Sequence, residues 1–445
     1  MGKAFLKGSD IEMNRESEEY KKCIDILNEE LLPAMGCTEP IAVAYCAAIA
    51  RNALGEVPDH VKIEASGNII KNVKSVIVPN TGHLKGLPVA AAAGIIAGDP
   101  KKKLQVISDV SIEEITEIKK FVEETDIDVE LLNSGIVFDL QITLIKGTNY
   151  AKCRIVNYHT NVVLIEKNGK IIEEKSLEED IGSTLTDREF LNCEIIYDFV
   201  NSLVLDDVKS VIGRQIQYNM AISREGIEGD YGAHIGKTIL NESESIKDED
   251  NYVYIKHKAK AWAAAGSDAR MNGCELPVVI NSGSGNQGIT ASVPVVIFGE
   301  FLKASEEKIY KAVTLSNLIA IYQKYPIGRL SAYCGAVNAG AGAACGIAYL
   351  YGAGFKAIEH TLVNSLAVAS GVVCDGAKAS CAAKVALAVE NGLFGYEMWK
   401  NGNEFMGGDG IIKKGSDNVV KNIGRLASRG MKETDKEILQ IMLTC

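Results

Sequence analysis

Residues 329–346 read RLSAYCGAVNAGAGAACG, and residues 370–384 read SGVVCDGAKASCAAK. Runs so rich in Gly and Ala suit helices that approach one another closely, because there is little side-chain bulk to hold them apart. Four cysteines, Cys334, Cys345, Cys374 and Cys381, fall within these two runs. Thiols at unequal spacing, outside any close pair, favour iron-sulfur ligation over a structural zinc knuckle. The plainer reading is core packing, since Cys is among the residues most often buried, and it accounts for one or two of the four.

Outward from this stretch, helical patterns run from about residue 176 to the C-terminus, interrupted by the polar segments 283–288 and 407–410. Residues 17–54 are also helical, broken at Pro33-Ala34-Met35-Gly36. The pattern resumes with Thr38 as N-cap and Pro40 in the first turn, and stops at Gly55. Between residues 60 and 174 the period changes, with β-rich runs at 61–65, 75–78, 104–107, 140–145 and 153–165. Asn168-Gly169 reads as a hairpin turn into 170–174, and Ser111 with Glu114 as a capping box. The expectation is an α+β fold. Residues 1–57 and 176–445 form a mainly helical catalytic domain, and 58–175 an inserted α/β module.

Over 445 residues, 47 Lys and Arg stand against 58 Asp and Glu, a net charge of -11. That balance argues against broad binding to nucleic acid or an anionic membrane, and leaves a small anionic substrate open. Eleven cysteines, an odd number, behind a polar and acidic N-terminus point to reduced thiols in a cytoplasm. The most apolar stretches, 87–97 and 362–373, are too short or too interrupted to span a bilayer. The Ala-rich helical region is compatible with a homo-oligomer.

On one unbroken helix, the eleven residues from Cys334 to Cys345 would part the two thiols by roughly 16 Å, too far for one compact cluster. Cys374-Asp375-Gly376-Ala377 reads as a loop entering a helix, with Asp375 as N-cap and Cys381 inside, so the loop can fold Cys374 back towards Cys381. The preferred ligand set is therefore Cys334, Cys374 and Cys381. A cube held by three cysteines leaves one iron open to act as a Lewis acid. Cys37, just before a helix start, is a candidate thiolate base, and equally a small apolar residue packed beneath that start. The segment from Asn281 to Gly288, NSGSGNQG, offers backbone N–H groups and short polar side chains for a carboxylate or amino group. It lacks a Walker lysine and the strand context of a dinucleotide fold. Asp268 and Arg270 are placed to orient it. His159-Thr160-Asn161 and Thr81-Gly82-His83 are weaker candidates for reaching a cleft.

Taken together, Met35-Gly36-Cys37-Thr38-Glu39-Pro40, Ser267-Asp268-Ala269-Arg270-Met271, the run from Asn281 to Thr290 and Cys374-Asp375-Gly376-Ala377 closely resemble the L-cysteine desulfidase family. That family is related to the α chain of iron-sulfur L-serine dehydratases, and the similarity covers the chain from about Tyr20 onward. The resemblance implies a [4Fe-4S] lyase without pyridoxal phosphate, its cluster held by Cys334, Cys374 and Cys381 and its proton acceptor at Cys37. It leaves Cys345 as an extra thiol. The implied reaction takes L-cysteine and water to hydrogen sulfide, ammonia and pyruvate. Thr38, Glu39, Ser284, Asn286, Gln287, His159 and Asn161 are the candidate substrate-binding residues. Cys445, with its thiol and terminal carboxylate, departs from the pattern. It could serve as a resting ligand to the open iron, against the plainer reading of a frayed tail. An iron-sulfur L-serine dehydratase and a non-enzymatic metal or redox sensor stay open as rivals.

Overall fold

The structure, a computed structural model, describes residues 13–176 and 185–444. The first helix, Glu18–Glu30, is capped by Ser17, whose side chain accepts from the Tyr20 amide. Then comes a three-residue strand, β1 (Pro33–Met35), and a helix over Thr38–Leu54 that ends on Gly55 in the left-handed region. The turn between β1 and this helix needs Gly36. Its φ is +54°, and a Cβ there would lie 2.1 Å from Pro79 Cγ.

Five strands follow β2 (His60–Ala65) in one sheet: β3 (Asp126–Leu131), β4 (Asp139–Lys146), β5 (Asn149–Val156), β6 (Val162–Lys167) and β7 (Lys170–Glu174). Their order is β3-β2-β4-β5-β6-β7, with β2 and β3 parallel and every other pair antiparallel. β2 alternates, burying Val61, Ile63 and Ala65 while Lys62 and Glu64 face outward. Asn168 and Gly169, both at positive φ, make the two-residue turn between β6 and β7, and the Ser111/Glu114 capping box is present. The helix Thr38–Leu54 packs on β4, β5 and β6, and on the helix Leu87–Ala97.

Three of the expected β-rich runs are not continuous strands. Ser75–Val78 contributes only the bridge of Ile77 with Lys85, because the chain turns at once through Asn80 and Gly82, both at positive φ. Residues 100–105 form a 3₁₀ turn capped by Asp99. The run 153–165 is split by a turn, with Asn157 at φ +65° and a bulge at Arg154/Ile155. Conversely, a strand lies where none was expected: β8 (Pro277–Val279) pairs antiparallel with β1. Three-residue strands are too short to leave an alternation in sequence.

In the helical region, Gly335–Leu350 lies at the centre, packed against Gly285–Phe301, Glu306–Lys324, Phe355–Ala369 and Cys381–Lys400. It is buried on nearly every face, which explains why its sequence is apolar all round instead of striped. Gly340 and Gly392 mark where it crosses Cys381–Lys400. A Cβ at Gly340 would fall 2.3 Å from the Ala388 carbonyl, and one at Gly392 would fall 2.3 Å from that of Gly340. One continuous apolar core joins sheet and helices, from Leu27 and Val61 to Val385. No helix among the described residues is long and apolar enough to cross a membrane.

Candidate active site

Three loops and two helix starts enclose a cavity of about 100 Å³. On one side, Tyr333 and Val373 form an isolated antiparallel bridge, with the Cys334 amide donating to Val372 O at 3.0 Å and the Cys374 amide to Ala332 O at 2.6 Å. Side chains alternate along such a ribbon, so positions 334 and 374 share a face. Cys381 is the first residue of its helix, and its Sγ lies 3.6 Å from the Gly376 carbonyl. The N-cap is Ser380, and not Asp375 as the sequence suggested. The Asp375 carboxylate is instead held by Lys378 and Lys384. Burial alone would raise its pKa, but the hydrogen bonds and charges of the two lysines hold it at about 2. Cys345 is not part of this group. It is fully buried within Gly335–Leu350 with its Sγ 3.6 Å from Ile358 O.

Burial pushes the Cys334 thiol up to about 12, and the neighbouring Cys374 and Cys381 add to the shift. Burial likewise raises Cys381. Thiols whose ionisation is opposed in this way favour a cationic centre beside them, which would remove that penalty. Among the described residues, the one trio of ligand atoms all within 4.8 Å of one another is His60, Asp126 and Asp128, on the exposed sheet edge. Cys334, Cys374 and Cys381 are not such a trio. Lys324 and Lys384 supply positive charge beside them. Burial lowers Lys324 to about 8, and the thiols of Cys374 and Cys334 pull the other way.

Facing the thiols across the cavity is the start of Thr38–Leu54. Cys37, not Thr38, is the N-cap residue, in an extended conformation and without a capping side-chain bond. The Thr38 hydroxyl is occupied elsewhere, 2.8 Å from Gly283 O and 3.1 Å from Glu39 Oε2. Cys37 Sγ donates to Glu39 Oε2 at 3.1 Å, and Asn72 Nδ2 donates to Oε1 at 3.2 Å. The sequence suggested a Cys37 thiolate favoured by the helix N-terminus; the structure reverses this. Complete burial and the adjacent Glu39 push the thiol well above its ordinary value, against a smaller opposing effect of Arg270. Burial also works to raise Glu39, but His159 and the Cys37 hydrogen bond outweigh it and leave the carboxyl at about 2. His159 Nε2 lies 3.8 Å from Glu39 Oε1, with its ring edge-on to Phe138.

The β1–β8 ribbon joins this wall to the third loop. Beyond β8 the chain turns through Ser282 and Gly283, at φ +49° and +82°, into the helix Gly285–Phe301, capped by Ser284. Asn286 Oδ1 accepts from Arg270 NH1 at 3.1 Å, and Gln287 packs against Gly335. Asp268 does not pair with Arg270; its Oδ2 accepts from the Gly236 amide at 3.0 Å. Cys37, Thr38, Glu39, His159, Ser284, Asn286 and Gln287 thus line one cavity with Cys334, Cys374 and Cys381. Asn161 does not line it; its Nδ2 donates to Val156 O at 3.0 Å and closes the β5–β6 turn. Thr81 and His83 also lie elsewhere, Thr81 bonded to Val78 O and His83 against Gly273. Cys445 lies outside the described residues.

Cys37 and Cys381 meet in a small apolar cluster with Val76, Met271 and Ala377. Around them, several buried polar atoms have no hydrogen-bond partner among the described residues: Asn72 Oδ1, His159 Nε2, Arg270 Nε and Gln287 Oε1. Unpartnered buried polar atoms are costly, so their convergence marks a cavity built for a polar ligand. Asn68, Asn72, Lys324, Arg329 and Tyr333 also line the cavity and were missed in the sequence. The one visible signal was Lys324, a cation at the end of the apolar run 312–321.

The profile of the serine dehydratase alpha chain matches residues 101–440. A UPF0597 protein of Desulfitobacterium hafniense (strain Y51) is 54% identical over 97% of this chain and 98% of its own length. UPF0597 proteins of Lachnoclostridium phytofermentans and Treponema denticola are 47% and 45% identical, over 95% and 97% of this chain and the whole of theirs. The thiol group, the facing Cys37 and the loop from Asn281 to Gly288 therefore sit in a chain that belongs to the serine dehydratase alpha chain family, as one of its UPF0597 proteins.

Proposed function

We propose that this protein is an L-cysteine desulfidase, a lyase that converts L-cysteine and water to hydrogen sulfide, ammonia and pyruvate. The observation that carries the reading is the apolar cluster in which Cys37, from the N-terminal part of the chain, meets Cys381. A base and a metal-ligand group on one small cavity is the arrangement that elimination from an amino acid requires.

In this reading Cys334, Cys374 and Cys381 hold a [4Fe-4S] cluster, which when bound supplies an open iron as Lewis acid to the leaving sulfur. Arg270, with Asn286 and the free N–H groups at the start of Gly285–Phe301, holds the substrate carboxylate. Cys37 takes the α-proton. To do so it acts as the thiolate, the form that Arg270 favours, while Glu39, with His159 behind it, holds the resting thiol in place by accepting its hydrogen bond. The apolar wall of Val76, Met271 and Ala377 beside Cys37 suits a thiol leaving group better than a hydroxyl, and this favours L-cysteine over L-serine.

The test is anaerobic reconstitution with iron and sulfide, followed by parallel pyruvate assays with L-cysteine and L-serine. Pyruvate from L-cysteine supports the reading, and pyruvate from L-serine alone would make the protein a serine dehydratase. With a full cluster present, no pyruvate from either would turn the reading to a non-enzymatic iron-sulfur protein.

A further inference from the structure

Beside the inner cavity lies a larger one of about 730 Å³, and the two share a wall that includes Asn68, Ser282, Lys324 and Arg329. Arg329 sits in that wall on the loop leading to Cys334. Its guanidinium stacks over the Tyr158 ring at 4.4 Å, and its NH2 donates to Glu30 Oε1 at 2.9 Å. NH1 points to the inner side, 3.3 Å from where a Cβ of Gly283 would lie, next to His159. One hydrogen-bonded pair and one stack fix the group while Nε and NH1 remain for a ligand.

Glu30 is 5% exposed, and its Oε1 also accepts from Arg188 NH2 at 2.9 Å. One carboxylate oxygen thus serves two guanidinium groups, while Oε2 has no hydrogen-bond partner among the described residues. Asn68 Oδ1, on the shared wall, is a second buried acceptor without a partner. Lys324 is paired with no carboxylate among the described residues. The lining of the outer cavity therefore combines spare cationic donors with two idle acceptors, the pattern that a zwitterion with one carboxylate and one ammonium group would satisfy.

We propose that the outer cavity is a second amino-acid site, a vestibule in which Arg329 binds the carboxylate and Glu30 with Asn68 the ammonium before the amino acid passes to the inner cavity. This rests on the reading of the inner cavity as the place of reaction. Nothing in it requires the outer site to take part in bond breaking, so Arg329 acts on capture and not on chemistry.

The experiment uses the full-length, cluster-loaded protein and calorimetric titration with L-alanine, which has the zwitterion and no leaving group. The wild type is expected to bind two equivalents per chain and Arg329→Gln one, and ethylamine, which lacks the carboxylate, should not fill the outer site. In turnover, Arg329→Gln is expected to lower kcat/KM for L-cysteine about 10- to 100-fold, the range of a charged hydrogen bond, with kcat within about threefold of wild type. Arg329→Lys, which keeps the charge, should recover part of the loss and guards against misfolding of the first variant. One equivalent of L-alanine on the wild type, or a fall in kcat at unchanged KM, would overturn the vestibule. A wild type that binds two equivalents yet yields no pyruvate would remove the desulfidase reading, and with it the role of vestibule, and leave the second amino-acid site standing.

Discussion

Cys37 Sγ and Glu39 Oε2 are joined by a hydrogen bond of 3.1 Å at the start of one helix, and each sets the other's charge. Glu39 helps keep the thiol protonated, and the thiol helps keep Glu39 ionised. Glu39→Gln should therefore make Cys37 easier to ionise. We expect faster alkylation of Cys37 at pH 8 in the metal-free protein, read by peptide mass spectrometry, together with at least about a tenfold loss of pyruvate formation. Faster alkylation with full activity would show that the hydrogen bond to Glu39 is not needed to place Cys37.

Cys37→Ala removes the proposed base and leaves the three thiols in place. Pyruvate formation should fall by about 10²- to 10⁴-fold while iron and sulfide content stay at the wild-type level. Equal loss of iron would instead make Cys37 a ligand.

Cys374→Ala and Cys345→Ala separate a ligand from a core residue. The first is expected to lose cluster absorbance and activity together. The second should keep both and cost about 1 kcal/mol in denaturant unfolding, because Cys345 only fills space in its helix. Loss of cluster in Cys345→Ala would contradict this division.

Glu39 also gives the fold a pH dependence. Its carboxyl is lowered from an ordinary 4.5 to about 2, so it contributes stability, on the order of 3 kcal/mol, that is present above pH 4.5 and is lost as pH falls towards 2. Melting curves of the wild type should steepen across that window, and those of Glu39→Gln should be flatter.

Lys324 works in the opposite sense. Its amine is lowered by burial from 10.5 to about 8, so keeping it charged costs stability below pH 8, and the cost fades between pH 8 and 10.5. Lys324→Met is expected to stabilise the metal-free protein at pH 7, by up to about 3 kcal/mol, and to weaken its hold on iron and sulfide. Unchanged melting temperature and unchanged iron retention would both count against this role.

Much of this architecture was legible because it depends on local chemistry. The Ser111/Glu114 capping box, the Asn168-Gly169 turn, the Gly55 stop and the alternation of 61–65 are each specified by neighbouring residues. The Ala and Gly of 335–350 announced tight helix packing, and Gly340 against Ala388 shows how tight. What escaped was long-range. β1 and β8 are three residues each and exist only because they pair across some 240 residues of chain, so neither carries a pattern of its own. The charge state of Cys37 escaped for the same reason, since the helix start is visible in sequence while the complete burial of the thiol is not. Asn68, Lys324 and Arg329 come from three separate elements, and only the folded chain brings them to one wall.

The buried ammonium of Lys71, 2% exposed, bonds both the carbonyl of Cys374 and the carboxylate of Asp435 in the final helix. Cys37 is made early in translation, Cys381 comes 344 residues later, and the anchor at Asp435 later still. A nascent chain therefore carries the thiols of this cavity apart and unframed for almost the whole of its synthesis.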